Sequence, residues 1–217
     1  MVRLFAALVP PPTILSALAT AAAARPVTAA VDDSWWRRRR GARTQAGLAT
    51  DPAHLGAGPF VVEEGNLMIV RLGNVVPADG RRIAAALTQK CREIAPLVLR
   101  LGEVVALEPI GHDGIGLKVE AAGGEGALLE LHRAVVSAAE EVGVFCDRRA
   151  FRPVLEVVGV TERTTEAQAQ AVIDALAACP SMTWHVDAIS LRRQVDTGPG
   201  GSVGIEEVPL AGSTAST

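Results

Sequence analysis

The chain has 217 residues, 49% of them hydrophobic, and a formal net charge of −3. That is enough apolar material to bury a full core in one domain or two small lobes. The mildly acidic balance excludes a general electrostatic attraction to nucleic acid, and no segment reaches the uninterrupted apolar length of a membrane span.

The opening Val2-Arg3-Leu4-Phe5-Ala6-Ala7-Leu8-Val9 reads as a first strand, followed by a proline-started helix from Thr13 to Ala24. Arg3 ahead of an apolar run also imitates a signal peptide, but Pro10 to Pro12 interrupt that run where a signal helix would have to continue. Residues 25–58 show neither helical nor strand period and are expected to be a long, partly mobile loop. Within it Trp35 and Trp36 stand beside Arg37 to Arg40, a pairing that suits base stacking and phosphate contact, or equally a short helix whose tryptophans dock on the core.

Beyond the loop the pattern alternates. GNLMIVRLGNV (65–75) reads as a strand, and Asp79 as the cap of a helix running to about Ile94. Strands are expected at 97–101, 104–109 and 115–121, and a helix from Glu125 to Val142 ended by Gly143. FRPVLEVVGV (151–160) is a further strand, Thr164 or Thr165 caps a helix through Ala178, and 183–193 and 203–209 close the chain as strands around a Gly-Pro-Gly-Gly turn. The glycine clusters lack the strand, loop, Lys and helix order of a phosphate loop and read as turns. This order predicts an α+β fold in a single unit over 1–210, with 211–217 a flexible tail.

Cys91, Cys146 and Cys179 are widely spaced, form no Cys-x-x-Cys pair, and read as buried free thiols. With the interrupted apolar run they point to a cytoplasmic protein without metal or cofactor. The histidines are His54, His112, His132 and His185. None has Thr or Ser two residues later, and each reads as a surface or capping residue, His132 on the polar face of a helix.

The opening Val2–Pro11, the Leu72-Gly73-Asn74-Val75 after the first central strand, the Phe151-Arg152-Pro153 before the second, and the closing Trp184–Leu191 and Val208-Pro209-Leu210 resemble, in order, the two-histidine phosphoesterases. That family includes the 2'-5' RNA ligase-like proteins and RNA 2',3'-cyclic phosphodiesterases. The resemblance implies two pseudo-twofold lobes, each a mainly antiparallel sheet with covering helices, and a cleft between them. It also implies a His-x-Thr or His-x-Ser motif on each central strand. One imidazole takes a proton from the attacking hydroxyl, its counterpart protonates the leaving oxygen, and the hydroxyls steady the phosphate.

Neither motif is present. Aligned on Leu72-Gly73, Asn66 stands at the first His and Met68 at the first Thr; aligned on Asn66-Leu67, these become Met68 and Val70. At the second motif Val154 replaces His and Glu156 replaces Thr. Residues two apart on a strand share a face, so each pair is expected to point into the cleft. Valine carries no transferable proton and a carboxylate opposes a phosphate, so the expectation is a catalytically degenerate protein with no catalytic residue, binding a nucleotide, an RNA end, another small ligand or a protein partner. Arg149, Arg152 and Glu156, with Trp35 and Trp36 from the loop, are the candidate ligand-binding residues. An active cyclic phosphodiesterase with relocated groups, and an interaction protein acting through 25–58, are the alternatives.

Overall fold

Along β1 (Val2–Leu8) Leu4, Ala6 and Leu8 face the main core while Phe5 and Ala7 face away from it, the period of a strand covered on both sides. The structure, a computed structural model, describes residues 1–23, 60–62, 65–107, 113–124, 126–146, 151–160, 164–195 and 201–211. The 25–58 loop and residues 212–217 lie outside the described residues.

After β1 come α1 (Pro12–Ala23), β2 (Phe60–Val62), β3 (Leu67–Val75) and α2 (Pro77–Cys91). Then follow β4 (Leu97–Leu107), β5 (Asp113–Ala121), α3 (Gly126–Glu141), β6 (Val154–Val160) and α4 (Glu166–Ala177), and finally β7 (Thr183–Val186), β8 (Ala188–Gln194) and β9 (Ser202–Pro209). The strands form two antiparallel sheets, ordered β3-β1-β8-β9 and β2-β6-β5-β4-β7.

Each sheet has a strand, helix, strand, helix unit: β1, α1, β3 and α2 in one, β5, α3, β6 and α4 in the other. The helices pack across the lobes, α2 on α3 and α1 on α4, while α3 also covers β3 and α1 also covers β6. Exchanging the two units maps every one of these contacts onto another, which is the pseudo-twofold that the family resemblance implies. The fold is α+β and two-lobed.

Local signals explain most element ends. α4 starts with a capping box: Thr165 Oγ1 accepts from the Gln168 backbone N–H and Gln168 Oε1 accepts from that of Thr165, while Thr164 is buried. α3 ends where Gly143 takes a left-handed φ of 79° and the Val144 N–H bonds back to Ala139.

Three expectations are corrected. Asp79 does not cap α2; Val76 occupies the cap with no side-chain bond, Pro77 opens the helix, and Asp79 pairs with Arg82 in the first turn. The strands expected at 97–101 and 104–109 are one, because β4 continues through a bulge at Gly102-Glu103. Conversely, 183–193 is two strands: the chain leaves one sheet after Val186 and enters the other at Ala188.

Candidate ligand cleft

β1 pairs with β3 so that Ala6 faces Val70 and Ala7 faces Met68, which leaves Ile69 as an extra residue in a bulge. β5 pairs with β6 so that Ile115 faces Val158 and Gly116 faces Glu156, which leaves Val157 extra in the same way. Since the orders β3-β1-β8-β9 and β6-β5-β4-β7 correspond term by term, Met68 is the topological counterpart of Glu156, and Asn66 of Val154.

The bulge also decides which neighbours share a face. Ile69 and Val70 both turn into the core, Val70 being 3% exposed, so the next side chain on Met68's side is Arg71, whose Nε donates to Met68 Sδ at 3.1 Å. The expected pairing of Met68 with Val70 on one face is therefore corrected; a strand keeps its two-residue period only while it is regular. On β6 Val154 and Glu156 precede the bulge, and both are half-buried while Leu155 between them is buried.

Glycines in β5 make room for these two side chains. A methyl group on Gly114 would lie 2.5 Å from Glu156 Oε1, and one on Gly116 would lie 2.8 Å from Val154 Cγ1 and 2.6 Å from the Leu155 carbonyl oxygen. Only a strand without Cβ atoms at these points lets its neighbour approach so closely. β3 and β6 touch between the lobes. Beside them α1 helps to form a shallow recess of about 240 Å³, including its open mouth, lined by Leu15, Leu18, Gly65, Leu155, Glu156 and Val157.

On the other lobe a polar row continues from Met68. Ala7 faces Met68 on one side and Ser190 on the other, Ser190 faces Glu207, and Phe5 lies between Arg71 and Arg192. Arg192 is fixed by Ser202, which accepts from Nε at its Oγ (3.0 Å) and from Nη2 at its carbonyl (3.3 Å). Asn66 Nδ2 donates to the same Oγ at 3.3 Å, linking the two edges of a curled sheet.

Of the other candidates, Arg152 is exposed directly ahead of β6, whereas Arg149, Trp35, Trp36, His54 and His112 lie outside the described residues. His185 is exposed on β7, three strands from β6. His132 is not the solvated helix residue expected: its ring stacks on Phe151 at 5.0 Å and 22°. Burial, and after it the charge of Arg133, lower its pKa below the ordinary 6.5. Cys91 is buried and its thiol pushed up to about 11, while Cys146 and Cys179 are partly exposed, unlike the expectation for three buried thiols. Among the described residues no cluster of three His, Cys, Asp or Glu side chains is arranged to hold a metal, and no helix is long and apolar enough to cross a membrane.

Ser190, Arg192 and Ser202 were not singled out from sequence. The alternation of Ser190 and Arg192 with apolar Ile189 and Leu191 was a usable signal; Ser202, at the end of a glycine-rich run, gave none.

The sequence matches no protein-family model and no curated protein. Solved structures are similar over nearly the whole chain. TT0787 of Thermus thermophilus has a TM-score of 0.62 at 18% identity, over 98% of this chain and 100% of that one. A phosphoesterase has a TM-score of 0.59 at 14% identity, over 97% and 99%. E. coli LigT complexed with 3'-AMP has a TM-score of 0.55 at 16% identity, over 96% and 98%; LigT has also been crystallised with ATP and with NADP+. The chain has the two-lobed α+β fold of LigT.

Proposed function

We propose that this protein is a catalytically degenerate relative of the 2'-5' RNA ligase-like cyclic phosphodiesterases, whose cleft binds a small ligand without turning it over. The observation that carries the reading is the pair of matched bulges. They make Met68 and Glu156 counterparts, with Asn66 and Val154 two residues before them, and these four positions hold no imidazole and no hydroxyl. Loss of a general acid or base costs a factor of about a hundred to ten thousand per group, so the loss of both leaves almost no chemistry. The cleft strands carry instead a thioether, a carboxamide, a carboxylate and an isopropyl group, a set suited to binding. Nucleotides are the ligand class to try first, because E. coli LigT, of the same fold, has been crystallised with 3'-AMP, ATP and NADP+.

The test is to incubate the protein with a short RNA ending in a 2',3'-cyclic phosphate, and in parallel to titrate 3'-AMP by calorimetry. Binding of 3'-AMP without ring opening is the expected result. Robust opening above a heat-killed control overturns the reading and makes the protein an active phosphodiesterase with relocated groups.

A further inference from the structure

Three polar side chains from two strands converge over one glycine. A methyl group on Gly204 of β9 would lie 3.7 Å from Arg192 Nη1, 3.8 Å from Ser190 Oγ and 3.9 Å from Glu207 Oε1. Because Gly204 has no side chain, the position its Cβ would take is unfilled by protein, and Gly204 itself is exposed.

The groups around it are held ready. Ser190 is 1% exposed, and its Oγ has no hydrogen-bond partner among the described residues, an expensive state for a buried hydroxyl. Arg192 uses Nε and Nη2 on Ser202, and Ser202 is in turn held by Asn66. Nη1 is thereby aimed at the notch with no partner among the described residues. Glu207, opposite Ser190 in the ladder, closes the third side.

We infer that this notch is a subsite for a neutral amide-type edge, a hydrogen-bond acceptor flanked by an N–H donor. Arg192 Nη1 donates to the acceptor and Glu207 Oε1 accepts from the N–H, with the buried Ser190 hydroxyl behind them. The opposed charges of Arg192 and Glu207 leave no net field for a free phosphate, whereas an aminated purine or a primary carboxamide satisfies both at once. The notch lies on the face of Met68: Ser190 and Arg192 are two strands away and Gly204 three, at roughly 10 to 15 Å. The inference therefore deepens the cleft reading and rests on it.

The probes are adenosine and nicotinamide, titrated at millimolar concentration against the full chain and followed by NMR. Purine riboside, which lacks the exocyclic amine, serves as the control. At least one of the two probes binds, adenosine exceeds purine riboside if the nucleobase is the source, and nicotinamide alone binds if it is a carboxamide. Gly204→Val fills the notch. Its φ is not left-handed, the site is exposed, and valine suits a strand, so the variant keeps its melting temperature and loses about tenfold or more in affinity. Glu207→Gln loses about tenfold through its missing charged acceptor.

Binding of purine riboside as tight as that of adenosine, with no nicotinamide binding, overturns the proposal, since a site built to bond an N–H rejects the analogue without it. If adenosine and 3'-AMP bind but Gly204→Val changes neither, the notch is overturned while the cleft reading stands. If nothing binds, 3'-AMP included, both are overturned.

Discussion

Asn66 and Ser202 are 136 residues apart and belong to opposite edges of one sheet, yet Asn66 Nδ2 donates to Ser202 Oγ at 3.3 Å. The bond is possible because the sheet curls. Its consequence is that Asn66, just ahead of β3, serves as a structural tie. Ser202 Oγ also accepts from Arg192 Nε, so one hydroxyl fixes two cleft side chains. Ser202→Ala removes both bonds and leaves part-buried donors unsatisfied; the expected loss is about 1–2 kcal/mol in urea unfolding. A change within error would mean that water replaces the hydroxyl.

Gly116 is the point at which β5 yields to β6. A Cβ there meets the Leu155 carbonyl oxygen at 2.6 Å, and backbone does not move aside as a flexible side chain does. Gly116→Ala is expected to destabilise the fold by about 2–3 kcal/mol. Gly126→Ala, where a Cβ meets nothing within 4 Å at the start of α3, is the control and is expected to be neutral or slightly stabilising. Comparable midpoints for the two variants would show that the close approach of Val154 and Leu155 to β5 is not a constraint.

The alternation of strand and helix, the Thr165 cap and the Gly143 stop were legible because each depends on residues within a few positions of one another. The two bulges were not, because a bulge is defined by register against a strand remote in sequence, Ala6-Ala7 for β3 and Ile115-Gly116 for β6. That is why Met68 and Val70 were expected on one face. The break between β7 and β8 left a trace: the apolar positions run Trp184, Val186, then Ile189, Leu191, a slip of one residue in a two-residue period. Of the site, the identities of Asn66, Met68, Val154 and Glu156 were plain from the sequence. The Arg192–Ser202–Asn66 chain was not, since it joins three segments that only the curl of the sheet brings together.

His132 gives the fold a pH dependence with a definite sign. Its pKa is lowered in the folded protein, by burial first and then by Arg133, so the fold prefers the neutral ring stacked on Phe151. The unfolded chain takes up the proton near 6.5 while the folded one does not. This contribution is complete above that pH and is lost as the pH falls below it. His132→Phe keeps a stacking ring without a titrating group. Between about pH 7 and pH 5, the wild type is expected to lose more stability than the variant in parallel thermal melts. Parallel curves would place the proton sensitivity elsewhere.

Glu156 tests the cleft itself. If the carboxylate shares the cleft with a bound phosphate, it repels that phosphate, and neutralising it strengthens binding of the phosphorylated ligand alone. Glu156→Gln preserves the shape of a side chain that lies over Gly114 and removes one unit charge, an effect of roughly 1 kcal/mol at about 4 Å across a water-filled cleft. Affinity for 3'-AMP is expected to rise about three- to tenfold, with adenosine unchanged and the gain shrinking as salt is added. An equal gain for adenosine would mean a change of cleft shape, and no gain for either would mean that the phosphate does not approach β6, so that the ligand sits wholly on the lobe of Ser190 and Arg192.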